Sequence, residues 1–128
     1  MIETGVTKIM FNFEKLEVWR KAIEFADLVY TSTRSFPSDE RFGLTNQMRR
    51  AAVSVSSNIA EGSSRISRPV FARFIEFATG SLFEVVSQSF VGRSQGFLTE
   101  PEFQRLYVAA EEQGKMLSGL RRSLINQG

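Results

Sequence analysis

Gln47-Met48-Arg49-Arg50-Ala51-Ala52-Val53-Ser54-Val55-Ser56-Ser57-Asn58-Ile59-Ala60-Glu61-Gly62-Ser63-Ser64-Arg65 (QMRRAAVSVSSNIAEGSSR, residues 47–65) reads either as a phosphate-binding loop or as a helix, and the fold turns on which it is. A phosphate loop would carry Gly-x-x-x-x-Gly-Lys directly after a strand, and the stretch has neither the spacing nor a strand before it. Its apolar residues keep helical time instead. Leu44, Met48, Ala52, Val55 and Ile59 recur every three or four residues, with Arg50, Ser54, Ser57 and Glu61 opposite. A third row, Arg49, Val53 and Ala60 with Ser56 at its border, is small enough in part to let another backbone approach. Thr45 or Asn46 is placed to cap the start, and Gly62-Ser63-Ser64 to end it.

Upstream, Leu16, Trp19, Ile23, Ala26, Tyr30 and Thr33 form the inward stripe of another helix, running from about Leu16 to Arg34. Val18, Phe25 and Val29 widen its apolar arc to about half the circumference at 100° per residue. Glu17, Arg20, Lys21, Glu24 and Asp27 hold the wet side. An arc that wide calls for a second neighbour, in the same chain or in another subunit. Phe36-Pro37 and Gly43 break the pattern into a loop.

Downstream, Ser67 is an N-cap with Pro69 in the first turn. Phe71, Phe74, Ile75, Ala78, Leu82, Val85, Val86 and Ser89 then keep a period near 3.6. Gly80 within that run costs about 1 kcal/mol relative to Ala and is explained either by close approach of a neighbour or by tolerance. Gly96 supplies a C-cap, with Phe97 beside it. Thr99-Glu100-Pro101-Glu102 is a capping box, and Phe103, Leu106, Tyr107, Ala110, Leu117, Leu120 and Leu124 follow at helical spacing. The expected fold is all-α, an up-down-up-down antiparallel four-helix bundle over residues 13–126, with residues 1–12 as an N-terminal extension.

Composition bounds the chemistry. The chain has 128 residues, 42% hydrophobic and 23% charged, the profile of one globular domain. It has no cysteine, hence no disulfide or thiolate chemistry, and no histidine, the commonest general base and transition-metal ligand. The N-terminus lacks the pattern of a signal peptide and no apolar run reaches membrane-spanning length, which gives a cytoplasmic expectation with no membrane partner.

Glu61, Glu76 and Glu84 are isolated carboxylates, and Glu111-Glu112 reads as a solvated helix face more readily than as a metal site. Ser54, Ser56 and Ser57 have no base. The expectation is therefore a protein without catalytic residues, metal, cofactor or small-molecule substrate. Residues 44–75 carry Arg49, Arg50, Arg65, Arg68 and Arg73 against Glu61 alone, a local net charge of +4 in a chain whose total is +2. That row is either a phosphate-contacting surface for RNA or DNA or a solvated face with ion pairs to Glu61 and Glu76. Val18, Phe25, Val29, Val53 and Ala60 are the candidate residues of a homo-oligomer interface. A protein-interaction scaffold without nucleic acid is the alternative.

At this point the chain resembles the four-helix-bundle proteins associated with intervening sequences in bacterial 23S ribosomal RNA genes. The resemblance spans roughly Phe13 to Leu124. It rests on Phe13-Glu14-Lys15-Leu16-Glu17-Val18-Trp19, Phe36-Pro37, Glu40-Arg41-Phe42-Gly43-Leu44-Thr45 and Gln47 to Ser54, then on Ser57-Asn58-Ile59-Ala60-Glu61-Gly62, Phe74-Ile75, Gly80 to Glu84 and Gly114-Lys115-Met116-Leu117. It implies a homopentameric, barrel-like assembly. It also implies kinship of fold with the accessory protein of diversity-generating retroelements, which is implicated in binding nucleic acid and the reverse transcriptase; no catalytic residue carries over. Ser56 stands where the family pattern has proline, which implies a straighter helix, and Val86 to Arg93 is less charged than the pattern, leaving an apolar outer face.

Overall fold

A computed structural model describes residues 11–126; residues 1–10, the bulk of the expected extension, lie outside them. Four helices follow in order, α1 (Glu17–Thr33), α2 (Leu44–Ser63), α3 (Arg68–Ser94) and α4 (Glu100–Ile125), with no strand among the described residues. Each packs on its neighbours in sequence and α4 closes back on α1, whereas α1 and α3, and α2 and α4, are diagonal. This is the antiparallel four-helix bundle. Asn12 opens a short 3-10 turn, and its amide donates to the Ser63 carbonyl at the end of α2, so bundle contacts begin one residue before Phe13.

Local chemistry sets most of the boundaries. Ser67 accepts from Val70 N–H to start α3, and Thr99 and Glu102 exchange the two bonds of the capping box at α4. Gly96, at φ +79°, ends α3 in a left-handed turn: its N–H reaches Arg93 O, and Phe97 N–H reaches Gly92 O. The start of α2 differs from expectation. Neither Thr45 nor Asn46 caps it; α2 begins at Leu44, whose N–H donates to Glu40 Oε1 at 2.9 Å, so the cap comes from the preceding turn.

The rotation of α1 also differs. Ile23 and Tyr30 are exposed, while Val18, Ala22, Phe25, Ala26 and Val29 are buried, Val29 completely at 0% exposure. Val18, Phe25 and Val29 therefore belong to the core of a single chain and are unavailable as a subunit interface. The reason is that α1 touches α2 and α4 together, and a helix wedged between two partners buries the middle of its apolar arc rather than one edge. The fully buried Gln113 on α4 donates to Val18 O across that junction.

The tightest seam lies between α2 and α3. A Cβ built on Gly62 would fall 2.6 Å from Phe74 Cβ and 2.9 Å from Phe71 Cδ1, so only a bare Cα admits this approach. Farther along, Ser81 Oγ donates to Ser54 Oγ at 2.9 Å, which makes Ser54 half-buried helix contact instead of solvent face. Ser56 is buried, its hydroxyl donating to Val53 O in its own helix, and α2 runs unbroken across the position. At the other end of the molecule Phe36 is buried with its ring 5.4 Å from that of Phe97, so the α1–α2 loop and the α3–α4 turn share a plug.

Arg49 joins α2 to the end of α1. Its Nε donates to Thr33 Oγ1 at 2.9 Å, Nη2 donates to Tyr30 O at 3.3 Å, and the guanidinium lies 4.6 Å from the Tyr30 ring centroid. A cation is thereby held against the last-turn carbonyls of α1, where the helix dipole favours it.

Urea denaturation checks both features. Gly62→Ala lowers stability by about 2 kcal/mol through overpacking against Phe71 and Phe74. Gly80→Ala, where an added Cβ meets nothing within 4 Å, raises it by about 0.5–1 kcal/mol. Arg49→Ala costs about 1–3 kcal/mol, and Arg49→Lys recovers little because an ammonium cannot span Thr33 and the Tyr30 carbonyl in the fork geometry.

Candidate functional site

Where α1 ends and α2 begins, an open cleft of about 710 Å³ forms between Tyr30 of α1, Arg41 and Phe42 of the loop, and Thr45, Asn46, Arg49, Arg50, Val53, Ser54 and Ser57 of α2. The linking loop is built on hydrogen bonds. After Pro37, a 3-10 turn over Ser38–Glu40 is followed by Arg41 N–H to Ser38 O and Gly43 N–H to Glu40 O. The same Glu40 carboxylate caps Leu44, and an added Cβ on Gly43 would sit 2.9 Å from it. The loop so fixed leaves Phe42 84% exposed, with the Arg41 guanidinium 5.2 Å from its ring centroid. Three arginines and two aromatic rings thus line one wall of the molecule, and no carboxylate lines it with them. The N–H groups of Thr45 and Asn46, in the first turn of α2, have no acceptor among the described residues.

The five arginines singled out by sequence do not converge. Arg49 and Arg50 enter the cleft, but Arg65 lies past the far end of α2, whose last residue, Ser63, is 13 residues from Arg50, about 20 Å at the helical rise. Arg65 pairs with Glu61 at 3.3 Å and covers the Phe74 ring at 4.7 Å. Arg68 donates to Ser123 O at the end of α4, and Arg73 sits 6.0 Å from the Phe77 centroid. Of the five, Arg50 and Arg73 are exposed with no hydrogen bond or ion pair among the described residues, and only Arg50 lies in the cleft. Two residues that the charge count passed over complete the cleft, Arg41 and Phe42. Their signal was an arginine and an aromatic side by side in a loop closed by Pro37 and Gly43.

Val53, 41% exposed, lies on the cleft wall, and Ala60 is half-buried, so these two do not form a continuous outward row with Arg49. The extended apolar surface is elsewhere. A groove of about 1000 Å³ between α3 and α4 is lined by Leu82, Phe83, Val86, Phe90, Tyr107 and Gly114 among others, with Phe83 69% exposed. Phe77 and Val91 are also exposed on α3, outside the groove's lining. Glu76 is paired with Arg121 at 2.7 Å and Glu112 with Lys21 at 3.8 Å, so these carboxylates serve as helix-to-helix ties. Among the described residues no three acidic groups converge as a metal cluster would, and no helix is long and apolar enough to cross a membrane.

Comparison with known proteins agrees with the architecture. No curated protein matches the sequence. Among solved structures, a protein of unknown function from the S23 ribosomal protein family of Bacteroides thetaiotaomicron superposes with a TM-score of 0.73 at 20% identity, over 82% of this chain and 98% of that one. At that identity the likeness speaks for the fold. The family model of the 23S rRNA-intervening sequence protein matches residues 14–119, from the turn that precedes α1 to the last third of α4. The chain belongs to the 23S rRNA-intervening sequence protein family.

Proposed function

We propose that this protein is a non-catalytic, cytoplasmic homo-oligomer that binds nucleic acid, RNA foremost, through the cleft at the α1–α2 corner. The observation that carries this reading is a wall with Arg41, Arg49 and Arg50 and no carboxylate, in a chain whose net charge is only +2. Arg20, Arg65, Arg93 and Arg121 are paired with carboxylates, whereas the three cleft arginines are not, and they stand together with their charge left to an external anion. Arg50 and Arg41 are the phosphate contacts, and Arg49 is held back by its bonds to α1. Of the remaining candidates, Arg65 and Arg68 near the α2–α3 junction are tied to Glu61, Phe74 and Ser123 and serve the bundle first, while Arg73 stands exposed in the second turn of α3, apart from the cleft.

Self-association rests on a separate observation. From Phe77 to Val91, α3 carries one charge, Glu84, yet Phe77, Phe83, Phe90 and Val91 on this segment are exposed. A second copy of the chain is the partner that covers such a face. The family resemblance points to five subunits. A protein-only scaffold is favoured by the same apolar face and by the internal ties of Arg49, Arg65 and Arg68; it differs in predicting no affinity for polyanions.

Filter binding to structured RNA and duplex DNA over a salt series separates the two. Binding at low salt that falls steeply as salt rises supports the nucleic-acid reading, and absence of binding at low salt refutes it. Arg50→Ala lowers the slope of log affinity against log salt by about 1, while leaving helical content unchanged. Light scattering tests assembly: a mass several times 14.5 kDa is expected, and Phe83→Glu on the α3 face returns the mass toward the monomer.

A further inference from the structure

We propose that the cleft takes an unpaired nucleotide of a single strand, its base stacked on Phe42 and its phosphate held by Arg41 and Arg50. This rests on the nucleic-acid reading above and narrows it, because arginines alone would serve duplex phosphates equally well.

Three features of the site carry the narrowing. First, Phe42 offers a large, exposed ring that contributes nothing to the core. It is 84% exposed, yet its backbone is fixed by the Pro37–Gly43 hydrogen bonds and by the Glu40 cap on α2. With its backbone already fixed, only the two side-chain torsions of Phe42 are left to be ordered when a base stacks on the ring. Second, cations lie next to the rings: Arg41 is 5.2 Å from the Phe42 centroid and Arg49 4.6 Å from that of Tyr30. Rings flanked by guanidinium groups are what a stacked base joined to a phosphate requires, since base and phosphate then find their partners within one nucleotide. Third, the remaining wall is neutral and hydrogen-bonding. Asn46 and Ser57, both exposed, present amide and hydroxyl groups suited to a base edge or sugar. The volume, about 710 Å³, falls in the range of about 300–1,000 Å³ common to small-ligand clefts. In a duplex the base faces are covered by their neighbours and cannot reach Phe42, so the arrangement selects unpaired strands.

The test uses fluorescence anisotropy on the full chain at low salt, with a short labelled RNA strand and the duplex it forms with its complement. The wild type is expected to prefer the single strand. Phe42→Ala is expected to weaken single-strand binding about tenfold and leave duplex binding unchanged, with circular dichroism and light-scattering mass as in the wild type. Phe42→Trp keeps the affinity, and its added indole fluorescence is quenched when the strand binds. Equal affinity of the wild type for strand and duplex, unchanged strand binding by Phe42→Ala, or an unquenched Phe42→Trp would overturn the stacking site while leaving the nucleic-acid reading intact. A change of assembled mass in Phe42→Ala overturns it too, assigning the ring to a contact between subunits. Failure of the wild type to bind either probe removes both readings together.

Discussion

The close passage of α2 over α3 at Gly62 is the constraint from which the rest of the molecule is built. With Phe71 and Phe74 pressed against a backbone that has no side chain, the two axes are drawn together at one end. The Ser54–Ser81 hydrogen bond holds the seam partway along, and Ala52, Val55 and Ile59 are fully buried. The rotation of α2 is then fixed. Its buried face and its α3 face are spent, which turns Arg49 and Arg50 toward the corner shared with α1. The cleft is thus a by-product of how α2 satisfies its core, since any other rotation would bury a guanidinium or expose Met48 and Ile59.

Much of this is written locally in the chain, and the boundary between legible and illegible follows the range of the interactions. The caps at Ser67 and Thr99 and the left-handed turn at Gly96 involve residues at most a few positions apart, so type and spacing reveal them. So does the period of α2, whose apolar residues lie within one narrow stripe. In α1 the apolar arc is too broad for periodicity to pick its centre; Ile23 and Tyr30 end outside, and Ala22 and Val29 inside, only because α2 and α4 both lean on it.

The site is less legible than the fold for the same reason. A cluster of arginines in sequence says nothing of where long side chains end. Arg49 finds Thr33, 16 residues back, and Arg68 finds a carbonyl 55 residues on. Charge counting therefore overstates the exposed surface, spreading it over both ends of α2. It also overlooks Arg41 and Phe42, whose importance comes from a loop geometry set by Glu40 and Pro37. The serines of α2 divide likewise, Ser54 and Ser56 inward and Ser57 outward.

The cleft and the apolar groove occupy opposite walls of the bundle, one formed by α1 and α2, the other by α3 and α4. Covering one wall leaves the other uncovered. Copies joined along α3 and α4 would carry their clefts facing away from the joint, at separations set by the width of a bundle. A strand seated in one cleft would then meet the next at an effective concentration governed by the length of chain between them. Weak individual seats would add up to tight retention for long polymers and loose retention for short ones, so that length itself becomes a quantity the assembly can discriminate.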